Sequence, residues 1–434
     1  MYPNTFGNSF KITTFGESHS IAMGVLIEGI KPNIDINISD IQKLLDKRKP
    51  KKKNTTKRKE DDELVVLSGV FEGKTLGSPI VAIVYNKDAR SKDYSDIKEL
   101  FRPSHADFTF FKKYGIRDYR GGGRSSGRET VSRVMAGAVA ISFLNAKQIK
   151  ITSKITQIGA FKTDKWDDID DTLPFADKYQ LKSIENYINN LDGDSIGGII
   201  ESRIEYVPIG IGEPVFEKLE ANIAKAVLSI GAVKGIEFGD GFKFANKKGS
   251  EVNDEMDKNG FLSNHSGGIQ GGISNGEPII FRTVIKPTPS ISKEQNTVNK
   301  FNKEVKIKIK GRHDPCIAIR IIPIINSMVA ITILNMIEDN RLYNNNEEND
   351  IDSLRSDILK IDRDIFSLLE ERFEIVKKII KYKKNYNISI ENKDVENKLI
   401  QKIKNLKLKN LNDVFIEKLY NKIFKESKRI QKDD

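Results

Sequence analysis

Glycine and proline vanish from this chain after the polar run Tyr343-Asn344-Asn345-Asn346-Glu347-Glu348-Asn349-Asp350. A segment without the residues that tolerate a left-handed backbone or break helices can form little but long helices. Leu354, Ile358, Ile361, Ile365, Leu368, Val376 and Ile379 follow the three-and-four spacing of one helical face. Two further helical stretches are expected near residues 394–406 and 411–430. Apart from Tyr343 the polar run has no apolar anchor, and it reads as a linker. Upstream the pattern is the opposite: short β-rich runs cut by glycine. Strands are expected at residues 64–71, 80–85 and 279–285, and helices at 130–145 and 219–229. Strands and helices do not alternate regularly, so the fold class is α+β over residues 1–342. A linker at 343–350 and a small all-α helical domain at 351–434 complete the expected organisation.

The net charge is +11, from 72 basic and 61 acidic side chains. Much of the excess lies at residues 47–53, continued by Lys57-Arg58-Lys59. By itself this run fits a solvated loop, a nucleic-acid or membrane-surface patch, or a loop feeding cations to a polyanionic small molecule. The most apolar stretch, residues 317–337, carries Arg320, Pro323, Asn326 and Asn335, which are costly in hydrocarbon. A buried strand-and-helix segment of a soluble protein is expected there. Cys316 is the one cysteine, which excludes an intramolecular disulfide and fits a reducing compartment. With no secretory pattern at the N-terminus, the expected location is cytoplasmic.

Four histidines lie in Gly16-Glu17-Ser18-His19, Pro103-Ser104-His105-Ala106-Asp107, Ser263-Asn264-His265-Ser266 and Gly311-Arg312-His313-Asp314-Pro315. Each sits among small or turn-forming residues, where a loop presents the ring to a ligand, and such settings favour proton transfer for at least two. Zinc is not expected, since no histidine pair is three to five residues apart and there is no cysteine cluster. Gly121-Gly122-Gly123-Arg124-Ser125-Ser126-Gly127-Arg128-Glu129 leads into the expected helix at Thr130. Its glycines let backbone amides approach a ligand, a helix head favours phosphate, and Arg117, Arg120, Arg124 and Arg128 add guanidinium forks. The Gly-Lys-Ser/Thr ending of a Walker loop is absent.

Gly16-Glu17-Ser18-His19, the string from Asp118 to Glu129, and Gly311-Arg312-His313-Asp314-Pro315 resemble three signatures of the chorismate synthase family. Leu67-Ser68-Gly69-Val70-Phe71-Glu72-Gly73, Gly239-Asp240-Gly241-Phe242 and Lys286-Pro287-Thr288 also match, so the resemblance runs from Asn4 to about Leu342. It implies a β-α-β sandwich, usually a homotetramer. The implied reaction is anti 1,4-elimination of phosphate from 5-enolpyruvylshikimate 3-phosphate, with reduced FMN and no net redox change. The phosphate and carboxylates of that substrate would explain the cationic loops without nucleic acid. Catalytic roles fall on His19, His105 and Asp314. The implied FMN contacts are Arg124, Ser125, Ser126, Gly231, Ala232, Gly271, Lys286, Pro287, Thr288, Pro289, Ser290 and Arg312. Arg48 and Arg128 are the implied substrate contacts. The large insertions of versions with their own flavin reductase are absent, so an external flavin reductant is expected. Two departures are Lys51 after Pro50, where the family commonly has glycine, and Ser104, where it also has glycine and where little effect is expected.

In the tail, Arg372 sits at the centre of the apolar seam and Lys383, eleven residues on, returns to the same face. Cations in such a seam are expensive unless an anion meets them. Arg355 lies about 100° off the seam, placed to reach a neighbouring helix or chain. An oligomerising bundle with snorkelling cations would account for the same pattern. Leu354-Arg355, Asp362, Leu368-Leu369-Glu370-Glu371-Arg372, Lys383 and Ser427 through Gln431 also resemble the all-helical class of chorismate mutase. Such mutases rearrange chorismate to prephenate with no cofactor. The resemblance implies Arg372 and Arg355 (reaching across from a second copy) for the carboxylates, Lys383 and Gln431 for the ether oxygen, and Glu396 for the ring hydroxyl. The usual arginine before that glutamate is Val395 here. The expected function is a bifunctional enzyme acting on small molecules, with neither nucleic acid nor membrane as partner. The rivals are a synthase whose tail only regulates or assembles, and a nucleic-acid binder using Lys47 to Lys59.

Overall fold

Every second side chain of Ile279–Ile285 is buried, the mark of a strand with one face on a core. Gly198–Glu205 alternates in the same way and pairs with it antiparallel over its length. The computed structural model describes residues 4–49, 62–87, 98–167, 173–309, 314–341, 351–385, 393–406 and 410–433. These belong to two units, Met1–Tyr343 and Asn344–Asp434. The polar run expected as a linker lies outside the described residues.

The first unit is α+β. One antiparallel sheet has the order Thr5–Phe6, Lys11–Phe15, Ala22–Glu28, Ile80–Tyr85, Leu64–Ser68. A second has the order Val233–Phe238, Ile279–Ile285, Gly198–Glu205, Lys150–Ile158, Phe161–Lys162. The helices are α1 (Ile38–Arg48), α2 (Asp107–Tyr114), α3 (Thr130–Ala146), α4 (Leu181–Asn189), α5 (Leu219–Leu228) and α6 (Ala318–Arg341). α3 packs on the first sheet, α6 on the second, and the two helices on each other, which makes a sheet–helix–sheet sandwich around one core. Their crossing is so close that a Cβ on Gly137 would lie 2.1 Å from Cβ of Ser327.

α6 replaces the strand-and-helix segment expected at 317–337 with one helix that contains Pro323. Its isoleucines favour strand locally, but a helix apolar all round is stable when enclosed on all sides. By length and composition it could cross a membrane, yet 89% of its apolar window is buried inside the fold. Its polar residues are satisfied by protein. Asn335 accepts from the amides of Asn8 (2.7 Å) and Phe10 (3.1 Å), Asn326 accepts from Ser153 (2.5 Å), and Arg320 pairs with Asp314 (2.7 Å). The strand expected at 64–71 breaks at Gly69, whose φ of 84° ends it, into Leu64–Ser68 and Val70–Phe71.

The second unit is all-α, with α7 (Ile351–Asn385), α8 (Lys393–Lys404) and α9 (Asp413–Asp433). α9 packs on both α7 and α8, and Ile380, Ile400, Ile416, Phe424 and Ser427 are buried. The expected seam differs. Ile358, Ile361, Ile365, Leu368 and Ile379 are exposed, and the face of α7 turned inward runs through Arg372, Phe373, Val376 and Ile380. The three-and-four spacing found an apolar face but could not say what covers it.

Candidate active site

The glycine string brings two histidines together. Gly121 and Gly122 have φ of 78° and 95°, a backbone that other residues take only with strain. A Cβ on Gly121 would lie 2.5 Å from Cε1 of His19, and one on Gly122 would lie 3.1 Å from Cε1 of His105. The rings therefore rest on adjacent glycines whose α-carbons are about 3.8 Å apart. Short 3-10 turns at Gly123–Ser125 and Gly127–Glu129 intervene before α3. The helix head carries the buried carboxylate of Glu129, which accepts from Thr14 (3.1 Å) and Arg133 (2.8 Å). The loop's approach to the histidines, rather than a bare helix head, is what the glycines provide.

The hydrogen bonds give the two rings opposite tendencies. Ser18 Oγ lies 3.1 Å from Nδ1 of His19 and 3.4 Å from the carbonyl of Arg120. If its one proton goes to that carbonyl, Ser18 can only accept from Nδ1–H, and Nε2 of His19 keeps a lone pair. At His105, Nδ1 is 3.1 Å from a guanidinium nitrogen of Arg102, which can only donate, and 3.4 Å from Asp107. The neutral ring thus accepts at Nδ1 and carries its proton on Nε2, while a charged ring would donate Nδ1–H to Asp107. Burial would raise the Asp107 carboxyl. Hydrogen bonds from Arg102 and His105 outweigh it and hold the group well below the usual carboxylate range. Arg102 forks onto it at 2.8 and 2.9 Å, and Arg117 adds a contact at 3.3 Å. Ser104, beside His105, has φ 56°. A glycine reaches that conformation freely and a serine pays about 1–2 kcal/mol.

A chain of ion pairs links the expected substrate and catalytic residues. Arg48 at the end of α1 and Arg128 both donate to Asp62, at 2.5 and 2.7 Å, and Asp62 is fully buried. Arg128 continues to Asn86 (2.7 Å), which donates to the carbonyl of Glu17 (3.1 Å) in the His19 turn. On the other side Arg320 pairs with Asp314 and donates to the carbonyl of Arg48 (3.2 Å). The residues that sequence reasoning missed are Asp62, Arg102 and Arg320. Asp62 left one trace, an acidic run directly after the basic one.

The expected cofactor residues divide. Arg124 turns to Thr14 (2.6 Å), Gly16 (3.1 Å) and Asn4 (3.1 Å), Ser125 donates to the carbonyl of Gly122 (2.7 Å), and Ser126 caps the amide of Arg128 (3.4 Å). These contacts order the loop. Elsewhere the amide of Lys286 donates to the carbonyl of Ala232 (2.9 Å), joining the turn after α5 to the segment Lys286-Pro287-Thr288-Pro289-Ser290. Around that junction three features suit a phosphate-bearing ligand. A Cβ on Gly231 would meet nothing within 4 Å, and the same holds for Gly271 in the hairpin between Ile269–Gln270 and Ile273–Ser274. Among the described residues Thr288 Oγ1 is buried without a hydrogen-bond partner, a state worth about 1–3 kcal/mol to relieve. Burial and the nearby Lys234 lower Lys286 from its ordinary value, a repulsion that an anion would remove. Lys286 Nζ also donates to the carbonyl of Ser104 (2.9 Å), tying this segment to the His105 loop. Arg312 and His313 lie outside the described residues, as does most of the basic run after Lys49. His265 pairs with Asp240 (2.9 Å), a structural contact. A cleft of about 320 Å³ beside Asn8, Glu217 and Asn340 shares no residue with this cluster. Among the described residues no His, Cys, Asp and Glu group is placed to hold a metal.

A family model described as chorismate synthase matches residues 10–337. The chain belongs to the chorismate synthase family. Chorismate synthase of Pelagibacter ubique is 50% identical over 347 residues, covering 76% of this chain and 96% of the relative. That of Lachnospira eligens is 50% identical over 353 residues, covering 78% and 96%. A crystal structure of chorismate synthase superimposes with a TM-score of 0.61 at 28% identity, covering 77% of this chain and 93% of that one.

Beyond the synthase region, α9 organises a second cluster. Arg372 of α7 donates to Ser427 of α9 (3.0 Å) and lies over the ring of Phe424, 5.9 Å from its centroid. Glu396 of α8 pairs with Lys428 (3.2 Å). Lys383 is half-buried on α7, and Val395 is exposed. The side chains of Arg355 and Gln431 lie outside the described ones. A family model described as chorismate mutase type II matches residues 354–432. The chain is therefore bifunctional, a chorismate synthase followed by a chorismate mutase domain that takes the synthase's product.

Proposed function

We propose that the histidine pair on the glycine loop carries the elimination of phosphate from 5-enolpyruvylshikimate 3-phosphate, and that Arg372, Lys383, Glu396, Arg355 and Gln431 then turn chorismate into prephenate. The observation that supports the first part is the placing of both rings against Gly121 and Gly122, with Nδ1 of His19 beside a hydroxyl and Nδ1 of His105 beside a guanidinium. His105, steadied by Arg102 and Asp107, donates from Nε2 to the departing phosphate oxygen. His19 handles the second proton from the other side of the loop. Asp314 is held by Arg320, and Arg48 and Arg128, pre-aligned by Asp62, receive the substrate's anionic groups. Reduced FMN, when bound, lends an electron transiently to the elimination without net redox change. Gly231, Ala232, Gly271 and Lys286 to Ser290 would hold it, with Arg312 contributing and Arg124, Ser125 and Ser126 shaping the loop beside it.

In the tail, Arg372 has neutral partners among the described residues and is ready for a substrate carboxylate. Lys383 and Gln431 stabilise the charge that develops on the breaking ether, and Glu396 holds the ring hydroxyl. We further place the boundaries at 1–342, 343–350 and 351–434, and read the enzyme as a cytoplasmic homotetramer served by an external flavin reductant. Burial pushes the Cys316 thiol up to about 12, consistent with an inert core cysteine.

Anaerobic turnover with chemically reduced FMN tests both parts. Prephenate plus phosphate is expected. Chorismate accumulating beside phosphate would remove the catalytic role of the tail, and no phosphate release would remove that of the head. Replacement of His105 by alanine is expected to cut phosphate release about 100- to 10,000-fold while leaving the conversion of added chorismate intact.

A further inference from the structure

We propose that Lys428 is a positioning residue of the mutase site, supplying from α9 a cation that α8 does not carry at Val395. The proposal rests on the mutase reading of the tail. Consecutive residues on a helix point about 100° apart, so one turn of α9 faces two neighbours. Ser427 faces α7 and accepts from Arg372 at 3.0 Å. Lys428 faces α8, with Nζ 3.2 Å from one carboxylate oxygen of Glu396 and 3.5 Å from the other. Both partners are about a quarter to a third exposed, so the pair sits at the edge of the cluster, where solvent weakens it without abolishing it.

The electrostatics call for such a cation. Chorismate carries two carboxylates, and Glu396 places a third carboxylate beside them. Lys428 offsets the charge of Glu396, so the cations of Arg372, Lys383 and Arg355 are left to the two carboxylates of the substrate. Val395, the neighbour of Glu396 on α8, is 59% exposed and apolar, so it offers no counter-charge. Lys428 reaches both oxygens of Glu396, fixing the carboxylate's direction as well as offsetting its charge. α9 thereby holds the cation of α7 and the anion of α8 in register.

The test is steady-state mutase kinetics of the full chain with added chorismate, for Lys428→Met, Lys428→Arg, Glu396→Gln and the double variant Glu396→Gln/Lys428→Met. Circular dichroism checks helicity, and phosphate release by the synthase checks the preparation. Lys428→Met is expected to lower mutase kcat/KM about tenfold, since a hydrogen bond to a charged group is lost. Lys428→Arg is expected to stay within about threefold of the parent. If Lys428 acts through Glu396, adding Lys428→Met to Glu396→Gln costs no more than about a further twofold. An unchanged Lys428→Met overturns the proposal. So does a fully helical Lys428→Arg as poor as Lys428→Met, or a full tenfold loss added to Glu396→Gln. A parent chain that makes chorismate and never prephenate overturns the mutase reading, and the proposal with it.

Discussion

The two halves of this enzyme treat their substrate-binding arginines in opposite ways. In the synthase region the arginines of the site are already paired with carboxylates of the same unit: Arg48 and Arg128 with Asp62, Arg102 with Asp107, Arg320 with Asp314. In the mutase region Arg372 meets a hydroxyl and a ring among the described residues. A buried guanidinium needs an acceptor whether or not substrate is present, so the deep site carries its own anions and is pre-aligned. In the shallower site on three helices, Arg372 has neutral partners among the described residues. Depth of burial, rather than the charge of the substrate, sets which strategy a site uses.

The sharpest way to break this comparison is to remove the shared anion. Asp62→Asn leaves two guanidinium groups around a buried neutral amide. Loss of about 3–5 kcal/mol from the unfolding transition of the synthase region is expected, with synthase turnover abolished and mutase turnover preserved. Denaturant unfolding followed alongside both assays reads this out. An unchanged transition would mean that Asp62 does not hold the cations, and the contrast between the halves would fall. The converse experiment is Arg372→Ala in the tail. Because Arg372 has only neutral described partners, its removal should cost no more than about 0.5–1.5 kcal/mol of stability, the loss of one hydrogen bond. Mutase kcat/KM should fall about a hundredfold, the loss of a charge-assisted substrate contact. Strong destabilisation with intact catalysis would make Arg372 structural.

Acid sharpens the comparison further. The folded-state pKa of Asp107 is depressed, so its contribution to stability is present above the unfolded-state value near 4 and is lost as pH falls below that. The parent synthase region should therefore lose stability steeply between about pH 4 and pH 2. Asp107→Asn should start less stable at neutral pH and show a flatter slope across that window. Equal slopes would say that the carboxylate is not held by Arg102 and His105.

Legibility in the sequence followed the same line of depth. Ile80–Tyr85 could be read because a short apolar run is bounded by glycine and proline, and the tail's helices because turn residues are missing. α6 could not, since a helix enclosed on all faces has no periodicity to show. All four histidines stood out alike among small loop residues, and the family resemblance singled out His19 and His105. Asp62 did not stand out, because one carboxylate of an acidic run next to a basic run looks like ordinary surface until the fold buries it. The seam of α7 was visible as spacing, yet its exposed side chains show that spacing does not name what covers a face.

The smallest effect concerns the loop that joins the pre-aligned arginines to the histidine. Ser104 is exposed, holds φ at 56°, and lends its carbonyl to Lys286 at 2.9 Å. Neither the carbonyl nor its partner depends on the serine hydroxyl, so Ser104→Gly keeps the contact and removes the Cβ strain. The strain relieved is about 1–2 kcal/mol, and the looser unfolded chain returns part of it, about 0.4–1 kcal/mol. The net expectation is a gain of about 0.5–1 kcal/mol, seen as a higher unfolding midpoint of the synthase region with turnover within about twofold. A loss of stability would mean that the hydroxyl makes a contact worth more than the strain. A gain in stability with a marked loss of turnover would be more informative, because it would show that the strained turn itself aims His105 at the departing phosphate.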